Sequence, residues 1–157
     1  MYYDYHKIIS YNAFINILIG ERRSSEKLIG ASKLMVQRFL KYGEQFAYIR
    51  RYKPELKKAV PNFFEALNSN NEFKDHILTT KGNKFYCDGK ICGHAMTLST
   101  AQDLKGTSFS KVKYILFDEF IIEEGQKKFY LPNEVFIFLN ILETIRKNER
   151  YKSIYAF

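Results

Sequence analysis

The strongest constraint on the fold is an alternation of short, almost wholly apolar runs with longer segments of helical periodicity. The run Phe14-Ile-Asn-Ile-Leu-Ile19 precedes an amphipathic segment at residues 33–42, and the run at 45–50 precedes helical spacing that starts near Pro54. Strands that are apolar on both faces are typical of parallel sheets covered by helices on both sides. We therefore predict an α/β fold with a mainly parallel sheet flanked by helices.

The second half of the chain adds a hairpin, two further strands and a helix. Asp88-Gly89 is typical of a two-residue hairpin turn, and it joins β-prone runs at 84–87 and 91–98. Apolar runs at 112–117 and 153–157 predict strands, and helical spacing over 133–147 predicts a helix between them. The residues that we expect to face the core from this helix are Val135, Phe136, Leu139, Leu142 and Ile145.

Charge and cysteine content limit the classes of protein to which the chain can belong. The 25 Lys and Arg against 17 Asp and Glu give a formal charge of +8, which favours a polyanionic partner. Two cysteines are too few for a disulfide scaffold, and the N-terminus lacks the pattern of a secretory signal. No apolar stretch approaches the roughly 18 residues that a membrane span requires. We therefore expect an intracellular protein without a membrane partner.

In an open parallel sheet, ligands bind at the edge where the strands have their carboxyl ends. That edge would hold residues 20–27, Arg50-Arg51 and Asp118-Glu119. The clearest motif among them is the last, because four apolar residues, 114–117, lead directly into the two carboxylates. This pattern matches the second nucleotide-binding motif of ATP-hydrolysing α/β proteins.

Two carboxylates at the end of a strand suit a division of chemical roles. Asp118 would hold Mg²⁺ through water, and Glu119 would polarise the water that attacks the phosphate. Neighbours on a strand point in opposite directions, so we expect the two side chains to address different ligands. The alternative is an ordinary surface turn after a core strand.

A phosphate-binding loop would have to follow the first strand. Such a loop wraps phosphates with backbone N–H groups as it opens into a helix, and its Lys reaches the outer phosphates. The candidate residues are Gly20, Glu21, Arg22, Arg23, Ser24, Ser25 and Lys27. With Lys27 as the phosphate lysine, Glu26 replaces the second Gly of the motif and Leu28 replaces its Mg²⁺-binding hydroxyl. A solvated, charged turn is the alternative interpretation.

Basic and sulfur-containing clusters supply further candidates. Residues 50–58 hold five cations and one anion, which suits nucleotide phosphates, a neighbouring subunit, a nucleic-acid backbone or a solvated helix start. Cations at 146–150 also favour the dipole of the helix that they end. Cys87, Cys92 and His94 are only three metal ligands, with no second cluster to complete a tetrahedral site. A metal or redox protein built on them is therefore the least favoured hypothesis, and elemental analysis for bound metal tests it.

Taken together, these residues make the chain resemble a known family, the DNA-packaging ATPases or encapsidation proteins of small tailed phages of the phi29 type. These proteins are relatives of terminase large subunits. The most specific block is residues 41–56, and four more follow in the same order, at 85–90, 117–120, 131–135 and 146–150. Five blocks in one order are far more specific than any single motif.

The resemblance implies a ring-forming motor ATPase of the P-loop, RecA/ASCE-like type, which uses ATP and Mg²⁺ to drive double-stranded DNA into a procapsid. It would dock on the procapsid portal, with a structural RNA between them in some members, in the host cell cytoplasm and transiently on the procapsid. By motif match, Asp118 would be the Mg²⁺ ligand, Glu119 the catalytic glutamate and Lys27 the phosphate lysine. Arg146 would match the arginine that such motors present to the ATP of a neighbouring subunit.

The resemblance also sets an expectation for domain organisation. Family members continue past the last strand into a polar sensor motif and a C-terminal nuclease-like domain, whereas this sequence stops at Phe157. We therefore expect residues 1–157 to be a single N-terminal ATPase domain, truncated before that second domain. Members also carry a conventional Gly-Lys-Ser/Thr loop. The altered loop here leaves a second hypothesis open, a non-hydrolysing nucleic-acid-binding or ring-assembly module.

Overall fold

A computed structural model of the chain describes residues 4–11, 13, 15–18, 26–104, 108–122, 125, 127–146 and 153–156. Its helices are α1 (Tyr5–Ser10), α2 (Glu26–Tyr42), α3 (Lys53–Asn62), α4 (Glu65–Ser69) and α5 (Glu134–Arg146). Its strands are β1 (Ile15–Ile17), β2 (Gln45–Arg50), β3 (Leu78–Lys81), β4 (Lys84–Cys87), β5 (Lys90–Thr97), β6 (Val112–Phe117) and β7 (Ser153–Ala156). A 3₁₀ segment, Leu98–Leu104, follows β5.

The strands form one seven-stranded sheet in the order β1-β7-β6-β2-β5-β4-β3. The five strands from β1 to β5 in this order pair in parallel, and β4 and β3 continue the sheet as an antiparallel hairpin extension. Asp88 and Gly89 join β4 to β5 with φ angles of 51° and 74°, the left-handed pair that a tight hairpin requires. The predicted mixed α/β class with an inserted hairpin is therefore confirmed.

Two hydrophobic cores lie on opposite faces of the sheet. Alternating residues such as Tyr48, Tyr114 and Leu116 pack on one face with α1 to α4. Their neighbours Ile49 and Ile115 point to the other face and pack with α5 and the 3₁₀ segment. Because side chains alternate along a strand, runs that are apolar at every position have to be covered on both sides.

An aromatic cluster fills the centre of the first core. The ring of Phe46 lies 5.4 Å from that of Phe63 and 5.0 Å from that of Phe85, measured between centroids. On the neighbouring strand, Phe46 pairs with Gly93, where an added Cβ would come within 2.6 Å of the Phe46 ring. A larger residue at position 93 would therefore force the buried ring to move.

Several predicted elements match the structure closely. The strands predicted at 45–50 and 112–117 are β2 and β6, with the same bounds. The helix predicted at 33–42 instead begins at Glu26, seven residues earlier. Gly30 and Ser32 weaken the helical signal of the added turns, but Ala31 and Ser32 are buried against the core, so packing outweighs propensity there.

The predicted core face of α5 is wrong for three of its five residues. Val135 and Phe136 are each 69% exposed and Leu139 is 47% exposed. The residues that pack on the sheet are Ile137, Phe138, Ile141, Leu142 and Ile145. The first half of α5 is apolar around most of its circumference, so periodicity could not select the inward face. None of the described helices is long and apolar enough to cross a bilayer.

Candidate functional site

The register of the sheet aligns the carboxyl ends of the parallel strands in one row. The paired residues along this row are Ile17, Ala156, Phe117, Ile49 and Met96, from β1 through β7, β6 and β2 to β5. Asp118 is the first residue after β6 and Arg50 is the last residue of β2, so they lie side by side at the predicted edge of the sheet. In the order of the sheet, β7 lies between β1 and β6, the strand that leads to the two acids.

The carboxylate of Asp118 is held in place from two directions. Its Oδ2 accepts a hydrogen bond of 2.7 Å from the hydroxyl of Tyr48 and lies 3.0 Å from Arg50 Nη1. Its Oδ1 accepts the backbone N–H of Glu119 at 3.0 Å. The side chain is still 21% exposed, so it is oriented by buried partners while one edge faces solvent.

Glu119 turns back towards the same guanidinium. Its φ angle is +55°, in the left-handed region, because β6 ends at Phe117 and the chain turns there. Glu119 Oε1 lies 3.2 Å from Arg50 Nη1, and Oε2 accepts a hydrogen bond of 2.6 Å from Lys128 Nζ. Both carboxylates therefore contact Arg50, although Tyr48 binds Asp118 and Lys128 binds Glu119. That the two acids address different ligands stays a prediction.

The electrostatic environment keeps Glu119 ionised. Burial on its own would raise the pKa of Glu119, but the hydrogen bond from Lys128 and the positive charge of Arg50 outweigh it and lower the pKa. Lys128 also lies 2.9 Å from Glu55 Oε1, and its pKa is raised mainly by the hydrogen bond to Glu119. Burial, followed by the charge of Asp118, raises the pKa of Tyr48, so its hydroxyl stays a donor.

Arg50 is the cation that joins the two acids, and its donors are incompletely used. Its side chain is only 13% exposed. Within the described part of the chain, Nε and Nη1 make no well-aligned hydrogen bond, although Nη1 lies within ion-pair distance of both carboxylates. Nε and Nη1 are themselves buried, so an anionic ligand would engage them only when the side chains around them move.

Arg51, the next residue, is fully engaged. Its side chain is 1% exposed, and Nε and Nη2 donate to the carboxylate of Glu134 at 2.8–3.0 Å. Nη1 donates to the carbonyl of Glu119 at 2.9 Å and Nη2 to that of Phe120 at 2.8 Å. Glu134 begins α5, so these hydrogen bonds of Arg51 fix the turn after β6 and the start of α5 relative to β2.

The structure locates the other predicted site residues only in part. Gly20, Glu21, Arg22, Arg23, Ser24 and Ser25 lie outside the described residues. Lys27 is the second residue of α2, directly after that segment, and its carbonyl accepts the hydroxyl of Tyr5 at 2.6 Å. Arg146 is the last residue of α5, and its side chain lies outside the described part of the chain.

The site also depends on residues that the sequence analysis did not select. Tyr48, Glu55, Lys128 and Glu134 are brought to it from β2, α3, the segment after β6 and α5. Tyr48 and Asp118 are 70 residues apart, and Arg51 and Glu134 are 83 apart. A buried tyrosine inside an apolar strand was the one local signal, because such a hydroxyl needs a partner.

A second feature, the basic cleft, lies between α3 and the β3–β5 hairpins. It has a volume of about 1010 Å³. Its cationic lining residues are Lys53, Lys57, Lys81 and Lys84, and its apolar lining includes Leu56, Val60, Met96 and Phe109. None of the described residues that line it is acidic. The cleft is therefore suited to an anionic ligand.

The mixed α/β fold, which places an acidic pair at the end of an inner parallel strand, is similar to that of terminase-like domains. The large terminase of a thermophilic bacteriophage, in complex with ADP, matches the structure with a TM-score of 0.59 over 94% of this chain and 34% of its own; at 15% identity this shows the fold alone. A profile of the Podovirus DNA encapsidation protein (Gp16) family matches residues 1–156. The chain belongs to that family.

Relatives within the family are similar over nearly the whole chain. The DNA packaging proteins of Bacillus phages PZA and phi29 are each 44% identical over 159 residues, which cover 98% of this chain and 45% of theirs. The crystal structure of the N-terminal domain of the DNA packaging ATPase from bacteriophage phi29 matches with a TM-score of 0.85 and 42% identity, over 99% of this chain and 78% of that one. A chain of the phi29 viral genome packaging motor assembly matches with a TM-score of 0.83 and 43% identity, over 99% and 46%. This chain therefore spans less than half the length of the curated relatives that it matches.

Proposed function

We propose that this chain is the ATP-hydrolysing domain of a motor that moves double-stranded DNA into a viral procapsid, with a P-loop NTPase fold of the RecA/ASCE-like type. The observation that carries the proposal is the Asp118-Glu119 pair, held at the carboxyl end of β6 by Tyr48, Arg50 and Lys128. The strand order also supports this fold. β7 lies as an additional strand between β1, which precedes the candidate phosphate loop, and β6, which precedes the two acids.

The residues at this edge fit Mg²⁺ and ATP. Carboxylate oxygens are preferred Mg²⁺ ligands, and the solvent-facing edge of Asp118 would hold the ion through water. The start of α2 follows the candidate phosphate loop, so Lys27 would contact the outer phosphates together with residues 20–25. When bound, Mg²⁺ would neutralise charge on the phosphoryl group that is transferred.

Glu119 would orient the attacking water. Its lowered pKa keeps it a carboxylate at neutral pH, which accepts a hydrogen bond from water and draws electron density towards the attacking oxygen. Arg50, the cation that lies between both acids, would stabilise negative charge on the phosphates. Tyr48 is a positioning residue, since it acts through Asp118.

The activity test is Mg²⁺-dependent ATP turnover of the chain and of Glu119→Gln. We expect the variant to lose about 10²- to 10⁴-fold in rate, the usual contribution of a positioned general base. Glu65→Gln is the matched control, because Glu65 is an exposed glutamate on α4, and it should keep the rate of the parent chain. Equal turnover by Glu119→Gln and the parent would contradict the assigned role.

We further propose a homo-oligomeric ring in which Arg146, at the end of α5, reaches the ATP of the neighbouring subunit. Arg146→Ala and Glu119→Gln should each be inactive alone, whereas a mixture should regain activity where an intact arginine meets an intact glutamate. Absence of rescue under conditions that assemble rings would contradict action between subunits. Docking of the ring on a procapsid portal, with a structural RNA in some members, and residence in the host cytoplasm stay part of the proposal.

The basic cleft would contribute to binding the phosphate backbone of double-stranded DNA. Each phosphate contact that is lost should reduce the slope of log K against log salt by about 0.9. We expect Lys81→Ala/Lys84→Ala to weaken binding and flatten this slope, whereas Lys7→Ala/Lys33→Ala, which removes equal charge from α1 and α2, should change it less. Equal effects of the two pairs would indicate a response to net charge only.

A second candidate function is favoured by the altered loop. Glu26 and Leu28 stand where a phosphate loop has Gly and a hydroxyl, so the chain could be a non-hydrolysing nucleic-acid-binding or ring-assembly module. Calorimetric titration with ATP and Mg²⁺ separates the two candidates. Saturable binding supports the motor domain, and its absence alongside salt-sensitive DNA binding supports the module.

A further inference from the structure

Three side chains with metal-binding atoms converge at the β4–β5 turn, on the opposite edge of the sheet from β1. They are His76, two residues before β3, Cys87, the last residue of β4, and Asp88, the first residue of the turn. His76 Nδ1 lies 2.7 Å from Asp88 Oδ2, and Cys87 Sγ lies 4.0 Å from the same oxygen. All three ligand atoms are within 4.8 Å of one another.

We propose that His76, Cys87 and Asp88 form a binding site for a tetrahedral transition-metal ion, with Zn²⁺ as its best-fitting occupant. Imidazole nitrogen, thiolate and carboxylate are the three ligand types that Zn²⁺ takes in proteins. Bond lengths of about 2.0–2.3 Å and tetrahedral angles would set the ligand atoms about 3.4–3.6 Å apart. The nitrogen and oxygen would separate slightly and the sulfur would approach them, which side-chain rotation can provide.

The site is different from the group of Cys87, Cys92 and His94 that the sequence analysis considered. His94 Nε2 contacts Gln45 Oε1 at 3.1 Å, and its ring packs edge-on against Phe109. Cys92 and Cys87 are both buried in the first core, and only Cys87 lies with the other possible ligands at the turn. The fold thus assembles Cys87 with two ligands, His76 and Asp88, that the sequence analysis had not grouped with it.

The surroundings hold the carboxylate in a ligating orientation. Asp88 Oδ1 accepts the backbone N–H of Ile77 at 2.8 Å, and the backbone N–H of Asp88 donates to the carbonyl of Ile77 at 2.9 Å. A hydrogen bond to the other oxygen of a ligating carboxylate commonly supports a metal site. Oδ2 is left facing His76 and Cys87, where a metal ion would bind.

The site is open to a fourth ligand from solvent. The Cys87 thiol is buried, whereas the side chains of His76 and Asp88 are 35% and 44% exposed, so a fourth ligand can be water. Metal binding would release the thiol proton to solvent and use the His76 tautomer that carries its proton on Nε2.

Such a metal would connect the start of β3 to the β4–β5 turn and so reinforce the outer hairpins of the sheet. Without a metal, the same residues form a hydrogen bond between His76 and Asp88 beside a buried thiol, and this contact alone would connect β3 to the β4–β5 turn. These two interpretations make different predictions for spectroscopy and for stability.

The spectroscopic test is a titration of the chelator-treated chain with Co²⁺. We expect one equivalent to give sulfur-to-cobalt charge-transfer absorption and the visible bands of four-coordinate Co²⁺, both removed by Zn²⁺. Asp88→Asn and His76→Gln should each lower the affinity by at least about tenfold, the lower end of the losses found when a group that supports a metal ligand is removed. Cys92→Ser is the matched control and should bind Co²⁺ like the parent. The proposal is overturned if the parent shows no charge-transfer absorption, or if Cys87→Ser still shows it.

A stability measurement keeps the test informative if a variant folds poorly. Asn tolerates the φ of +51° at position 88 and can still accept the N–H of Ile77, so Asp88→Asn should fold. Zn²⁺ should raise the melting temperature of the parent and leave that of Asp88→Asn nearly unchanged. Equal shifts in the two proteins would overturn the proposal in favour of non-specific binding. Neither result depends on ATP hydrolysis.

Discussion

Arg50 and Arg51 are adjacent arginines at the end of the same strand, yet the structure uses them in opposite ways. Arg51 is 1% exposed and its donors are engaged by Glu134 and by two backbone carbonyls. Arg50 is 13% exposed, lies between Asp118 and Glu119, and leaves Nε and Nη1 without an aligned hydrogen bond in the described part of the chain.

The difference teaches how to separate a structural cation from one available to a ligand. A guanidinium whose donors are all satisfied by protein has no capacity for a further anion, and its loss leaves buried groups unpaired. A guanidinium with unused donors beside two acids can reorganise when a phosphate arrives. We therefore expect stability to depend mainly on Arg51 and ligand chemistry mainly on Arg50.

The largest expected effect is that of Arg51→Ala on stability. It leaves the carboxylate of Glu134 and the carbonyls of Glu119 and Phe120 without their buried partner, so we expect a loss of about 3–5 kcal/mol in the free energy of unfolding. Denaturant titration measures it. Lys33→Ala removes an exposed ion pair with Glu72 and should cost about 0–1 kcal/mol. If Arg51→Ala cost as little stability as Lys33→Ala, Arg51 would not be the structural cation that the comparison makes it.

Lysine substitutions sharpen the comparison because they preserve charge. Lysine cannot reproduce the planar fork that spans Glu134 and two carbonyls, so Arg51→Lys should cost about 2 kcal/mol. Arg50→Lys, which keeps a single cation near two partly exposed acids, should cost about 1 kcal/mol or less. Thermal and denaturant unfolding of the pair should give this order, and the reverse order would contradict the comparison.

Tyr48→Phe tests the hydrogen bond from the buried Tyr48 to Asp118, the acid that contacts Arg50. The variant keeps the aromatic ring and loses the 2.7 Å hydrogen bond to Asp118, so we expect the free energy of unfolding to fall by about 1.5 kcal/mol. If Tyr48 positions Asp118 for Mg²⁺, half-saturation of ATP turnover should also need more Mg²⁺. Tyr52→Phe, which loses a more exposed hydrogen bond to the carbonyl of Phe129, is the control and should leave the Mg²⁺ requirement unchanged.

The smallest expected effect is the pH dependence contributed by Glu119. Its pKa is lower in the folded chain than in the unfolded one, so its contribution to stability is present above the unfolded pKa and is lost as pH falls through the folded pKa. The difference in free energy of unfolding between the parent and Glu119→Gln should therefore narrow with acidification. A difference that stays constant from neutral to acidic pH would show that Lys128 and Arg50 do not favour the ionised form.

Local patterns predicted much of the architecture. The apolar runs of β2 and β6 and the Asp88-Gly89 turn predicted their elements closely, because strand alternation and turn geometry depend on neighbouring residues. The predicted core face of α5 failed, since its first half is apolar on several sides and packing alone selects which side is buried. Lys128 likewise gave no local signal, because its partners lie on α3 and after β6.

The sequence by itself determined that two arginines end one strand and two acids end another, and that parallel pairing brings these ends to one edge. It could not distinguish Arg50 from Arg51, which are chemically identical neighbours in a single cluster of charge. The tertiary structure decided between them, because strand alternation sends consecutive side chains to opposite faces of the sheet. On one face, partners 68 to 83 residues away in the sequence accept hydrogen bonds from the guanidinium of Arg51. On the other face, Nε and Nη1 of Arg50 make no aligned hydrogen bond with the described residues.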